Sequence, residues 1–167
     1  WSATVTDNVA VTSCELLIDG VPSGAMMIAG STANRTVLFS APDTYILSAN
    51  CTDAANNTAQ NATIVTINDI TLPVVTIHSP VPTTYTLTTV LVNLSATDNI
   101  NVSELRYRYN DSSDYASGNV TWTAALNISL VDERIVTLTA YGIDTAGNVG
   151  ASSTTFAINT STVTPPR

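Results

Sequence analysis

The chain of 167 residues contains no lysine, one histidine, two cysteines, two phenylalanines and two tryptophans. Five arginines stand against 13 carboxylates, giving a net charge of -8 and a pI near 4.1. A surface so poor in cations repels nucleic acid and anionic lipid, which excludes both as partners. No run of about 18 apolar residues occurs, so no helical membrane span is expected. Charged residues are only 11% of the chain, too few for a disordered polyelectrolyte or a halophile surface. Glycine-rich phosphate loops and zinc-type spacings are absent, so no cofactor is expected. His78 has no evident partner for general-base work, and the chain is read as a non-enzyme. The opening Trp1-Ser2-Ala3-Thr4-Val5 reads as a strand rather than a leader, so the chain is expected to be mature or excised.

What is present is threonine, serine and asparagine set among alternating apolar residues. Leu105, Tyr107 and Tyr109 alternate with Arg106 and Arg108, and Val136, Leu138 and Ala140 alternate with Thr137 and Thr139. Cys14, Leu16 and Ile18, then Tyr45, Leu47, Ala49 and Cys51, show the same period of two. That period belongs to half-buried strands, and the β-branched content suits them. Turn signals at Asp19-Gly20, Ala41-Pro42-Asp43, Ser117-Gly118 and Asp144 to Asn148 separate the runs.

The alternation occurs twice. Thr6-Asp7-Asn8 recurs as Thr97-Asp98-Asn99 and Asp53 to Asn57 as Asp144 to Asn148, both at an offset of 91 residues. Without gaps, 16 of the 76 pairs at that offset are identical. A period near 90 is one small domain per repeat. The second repeat predicts strands near 73–78, 87–97, 104–110, 120–130, 134–143 and 150–159, after a linker at Ile70 to Pro73. The first repeat opens at the level of the second strand, so its opening strand is expected to be missing and an edge left open.

An alternating strand followed by Ala96-Thr97-Asp98-Asn99, and later Ala140 to Asn148 ending in Asp-Thr-Ala-Gly-Asn, resembles the immunoglobulin-like repeats of prokaryotic surface proteins. The resemblance implies an all-β fold of two tandem immunoglobulin-like β-sandwiches. The domains would be 1–69, incomplete and disulfide-bearing, and 70–160, with a tail at 161–167. In that topology Cys14 and Cys51 fall on neighbouring strands, so a disulfide is expected in an oxidising compartment, the alternative being two buried thiols.

Ten Asn-x-Ser/Thr acceptors occur, at Asn34, Asn50, Asn56, Asn61, Asn93, Asn101, Asn110, Asn119, Asn127 and Asn159. Chance would place roughly four in a chain of this composition. N-linked glycans on an extracellular cell-surface protein are therefore expected, beside the reading that a Thr/Ser/Asn-rich chain makes sequons by accident. Asp98, Asn99, Asp144 and Asn148 would meet at one end of the second sandwich, with Asp7, Asn8, Asp53 and Asn57 equivalent in the first. They are weak calcium candidates; bracing of tight turns is preferred, because hard cations draw on more carboxylates.

The resemblance extends to archaeal glycosylated filament subunits, which implies a structural homopolymer joined head-to-tail by strand complementation, with Ala157 to Pro166 as candidate donor. Spacer repeats of a large adhesin or surface-layer protein, joined to adjacent repeats, are the alternative. A carbohydrate-binding accessory module of a secreted enzyme is a third, and Tyr107, Tyr109, Tyr115 and Trp122 are the aromatics it would need.

Overall fold

In the computed structural model, which describes residues 1–161, every regular element is a strand. The strands are β1 (Ser2–Thr4), β2 (Val11–Ile18), β3 (Val21–Ala25), β4 (Met27–Ala29), β5 (Thr32–Asn34), β6 (Asp43–Asp53) and β7 (Thr58–Ile67), then β8 (Val74–Ser79), β9 (Thr84–Tyr85), β10 (Thr89–Thr97), β11 (Val102–Asp111), β12 (Val120–Thr121), β13 (Leu126–Ser129), β14 (Arg134–Asp144) and β15 (Val149–Ile158). The chain divides into two compact units between Asn68 and Asp69. Both are immunoglobulin-like sandwiches.

Unit 2 packs a three-stranded sheet, β13-β10-β8, against a five-stranded one, β12-β11-β14-β15-β9. After β8 the chain changes sheet, and β9 lies parallel to β15. Between the sheets lie Val90, Val92, Leu94, Tyr107, Val136, Leu138, Ala140, Phe156 and Ile158, each at most 3% exposed. These are the inward positions of the period-two pattern, and their burial drives the pairing.

Unit 1 has the same plan, with β1-β5-β4 facing β3-β2-β6-β7. The 91-residue period holds in the ladders themselves. Cys14 faces Cys51 and Leu105 faces Gly142; Leu16 faces Ala49 and Tyr107 faces Ala140. Even the bulge recurs, between Val11 and Ser13 and between Val102 and Glu104. Cys14 and Cys51 form a disulfide across directly opposed residues. Tyr45, near the start of β6, donates its hydroxyl to the carbonyl of Ala41, an arrangement familiar at this corner of immunoglobulin-like domains.

Unit 1 has no counterpart of β8 and β9. The cost is visible in β7, which is exposed over most of its length, whereas Phe156 and Ile158 of its equivalent β15 are buried. The buried apolar side chains of unit 1 are only Cys14, Leu16, Met26, Ala33, Leu47 and Ala49.

Two expectations are corrected, for the stretch 120–130 and for the candidate donor segment. The stretch 120–130 is two strands, not one: Val120–Thr121 pairs with β11, and Leu126–Ser129 pairs with β10 in the other sheet. Trp122, Thr123, Ala124 and Ala125 lie between them and carry the chain across the sandwich. The stretch Ile70 to Pro73 falls in unit 2, as the bounds 70–160 have it, with Pro73 buried just before β8 and its carbonyl against Gly150. The candidate donor segment is partly committed, because Ala157 and Ile158 pair within β15 and Thr160 is hydrogen-bonded to Asp132. Residues 162–167 lie outside the described residues.

The disulfide closes a loop of separation 37 and so removes about 3–4 kcal/mol of chain entropy from unfolded unit 1. Replacing Cys14 and Cys51 together by Ala should lower the stability of unit 1 by that amount and leave unit 2 unchanged, as read by residue-resolved hydrogen exchange. At Gly150 a Cβ would lie 1.8 Å from the carbonyl oxygen of Pro73. Gly150→Ala should therefore destabilise unit 2 by about 3 kcal/mol in denaturant titration. Ala59→Gly at the equivalent place in unit 1 should cost under about 1 kcal/mol, because nothing covers it.

Candidate functional site

Each sandwich gathers an aspartate and an asparagine from the turn between its last two long strands. In unit 1 the Asp53 carboxylate accepts the Asn57 backbone N–H at 2.8 Å through Oδ1 and the Asn57 side-chain amide at 2.7 Å through Oδ2. In unit 2 Asp144 accepts the same pair from Asn148, both at 2.8 Å. The turn itself needs a residue at positive φ, supplied by Asn56 at 66° and Gly147 at 90°. Thr12 in unit 1 and Ser103 in unit 2 donate hydroxyls to the last two carbonyls of the preceding strand. Bracing of a tight turn accounts for Asp53 and Asn57 in full.

The hydrogen bonds of Asn57 hold the Asp53 carboxyl below its ordinary value of 3.8. At Asp144 burial acts upward, but Asn148 and the backbone N–H groups of Ala146 and Gly147 outweigh it and the net displacement is downward. A lowered native value means that the Asp53 carboxylate stabilises unit 1 above about pH 3.8, and that this contribution is lost as pH falls through the lower native value. Asn57→Ala should therefore flatten the acid dependence of unit 1 and bring its acid unfolding to higher pH, while unit 2 keeps its own profile; circular dichroism against pH checks it.

Two further aspartates stand near Asp144, of which Asp69 has no counterpart in unit 1 among the described residues. Asp98 accepts the Ile100 N–H at 3.1 Å, as Asp7 accepts that of Val9 at 2.6 Å in unit 1. Asp69, 9% exposed, enters from the segment before β8, and its Oδ1 accepts from the Thr71 N–H and the Asn99 side-chain amide, both at 3.1 Å. Its carbonyl accepts the Asn148 amide at 3.2 Å. Oxygens of Asp69, Asp98 and Asp144 all lie within 4.8 Å of one another. Sequence reasoning brought Asp98, Asn99, Asp144 and Asn148 to one end but missed Asp69. No repeat signal marks it, since the residue 91 positions on is Thr160.

A second feature is a groove of about 690 Å³ in unit 1, bounded by Trp1 to Asp7 on one side and by Ala49, Cys51 and the first half of β7 on the other. It lies where β8 and the residues before it cover unit 2. The two places differ in relief: Gly142 and Gly150, which admit Pro73 and Val75 closely, are replaced by Cys51 and Ala59.

Of the ten sequon asparagines none is buried; eight are exposed, and Asn34 and Asn93 are half-buried. His78 hydrogen-bonds Ser95 Oγ at 2.9 Å on an exposed strand face, and among the described residues no carboxylate bonds the other ring nitrogen. Tyr107 is 3% exposed and Tyr109 and Trp122 pack on the core, leaving Tyr115 as the one exposed member of that aromatic group.

No family model matches the chain, and no curated protein matches it. Among solved structures it is similar to the fibronectin(III)-like modules of Clostridium thermocellum CbhA, at 17% identity and a TM-score of 0.43, over 95% of this chain and 83% of that one.

Proposed function

We propose that the chain is a non-catalytic structural element of an extracellular, N-glycosylated surface filament of the archaeal kind its repeats resemble, built from sandwiches joined head-to-tail. The observation that carries this is the duplicated sandwich, whose ladders repeat position for position at an offset of 91 residues, bulge included. Val5 N–H donates to Ser31 and Arg35 N–H donates to the Trp1 carbonyl, so the odd-numbered residues face β5 and Ser2 and Thr4 point their backbone groups away from it. In unit 2 the matching edge of β10 is filled by β8. A strand edge of this kind pairs with an added strand, whether from a preceding part of the same polypeptide or from another copy. Cys51 and Ala59 require the incoming strand to lie farther from the sheet than Pro73 does in unit 2. The disulfide and the solvent-facing sequons fit an oxidising, extracellular setting. The 91-residue repeat equally supports spacer modules of a longer surface protein, where the strand would come from the same polypeptide.

Electron microscopy of the native material and of the purified chain separates the two. Filaments with a two-sandwich repeat are expected, and intact mass should exceed the polypeptide mass by several glycans. Thr4→Pro removes an outward N–H without touching the β5 ladder, so it should abolish assembly with the melting temperature of unit 1 retained. Monodisperse rods from the wild-type chain, or undiminished assembly of Thr4→Pro, would reject the filament.

A further inference from the structure

We infer that Asp69, Asp98 and Asp144 of unit 2 bind one divalent cation of the calcium class. The three carboxylates come from three separate places: the segment leading into β8, the turn between β10 and β11, and the end of β14. Their oxygens converge within 4.8 Å with no basic side chain among them; the chain has no lysine, and the one ion pair among the described residues joins Arg106 to Glu104. Convergence alone does not make a site. The decisive observation is that Oδ2 of Asp69 and Oδ2 of Asp98 are sealed from solvent and accept no hydrogen bond.

The donors nearby are already engaged elsewhere. Thr71 and Asn99 serve Asp69 Oδ1, Ile100 serves Asp98 Oδ1, and the Asn148 amide serves Asp144 and the Asp69 carbonyl. A buried carboxylate oxygen without a partner is costly, and two beside a third carboxylate are more so. A cation satisfies all three at once. Oxygen-only ligands without His or Cys argue against zinc. Calcium accepts irregular oxygen sets at about 2.3–2.6 Å, which suits atoms up to 4.8 Å apart, whereas magnesium demands a tighter octahedron. Water would complete the shell.

Unit 1 is an internal contrast. Asp7 and Asp53 occupy the equivalent positions, with Asp53 held by the same asparagine bracket, yet among the described residues no third carboxylate joins them. The cation would tie the segment at Asp69 to both turns, and so hold Pro73 against Gly150.

The test uses the full chain stripped with chelator and titrated with CaCl₂. Calorimetry should find one site per chain, with a dissociation constant of about 10⁻⁴–10⁻³ M, as in extracellular modules. About 10 mM CaCl₂ should raise the melting temperature of unit 2 by roughly 6–20 °C and leave unit 1 unmoved. Asp69→Asn and, separately, Asp98→Asn should weaken binding at least about tenfold. Both variants, measured in chelator, should melt no lower than the wild type, because each removes a repelling charge. That last result separates a ligand from a structural brace, whose loss would lower stability with or without calcium. Absence of heat and of any thermal shift would overturn the proposal, as would unchanged affinity in Asp98→Asn, a half-buried turn residue whose replacement leaves the core intact.

Discussion

A two-sheet sandwich stays dry only where something closes the gap between the sheet edges. In unit 2 the residues from Pro73 through β8 do this: they pair with β10 on one side and lie over β14 and β15 on the other. Gly142 and Gly150 are the backbone's accommodation to that contact, since a side chain at either would meet Val75 or Pro73. The buried ends of β15 and the inward placement of Asp69 follow from the same segment being held down. Unit 1 shows what the sheets look like without it: a groove, an exposed β7 and a core of fewer residues. Its disulfide lies next to that groove and ties together the two strands β2 and β6.

The repeating parts were legible because they are local in pattern and duplicated in sequence. Inward residues such as Leu47 and Leu138 or Ala49 and Ala140 report the same face twice, and the ladder between β2 and β6 repeats between β11 and β14, bulge included. Where the two units part, the period is silent. The segment from 120 to 130 alternates well enough to read as one strand, and only the sandwich as a whole assigns Val120 to one sheet and Ile128 to the other. Local propensity does not carry that information.

Half of the acidic site was legible for the same reason and half was hidden for the opposite one. Asp98 and Asp144 stand in the recurring Thr-Asp-Asn and Asp-x-x-x-Asn motifs, so their meeting at one end follows from topology. Asp69 stands in a stretch that looks like a linker, and in the repeat its position is taken by threonine. Its burial comes from a tertiary contact, the docking of the 69–73 segment, that no period in the sequence encodes. Calcium was disfavoured at the sequence level because too few carboxylates were in reach; the third carboxylate removes that objection for unit 2 and leaves it standing for unit 1.

The two open features of the molecule therefore separate along the chain. Both sandwiches keep the bracketed aspartate, because it shapes a turn that any such domain needs. Only the second adds a third carboxylate, that of Asp69, among the described residues. If each unit were merely a copy of the other, a substitution in the bracket would have the same consequence in both. The glycines at 142 and 150, replaced by Cys51 and Ala59, show that the units have diverged on the face where β8 lies, at the contact that decides whether a strand packs closely or at a distance.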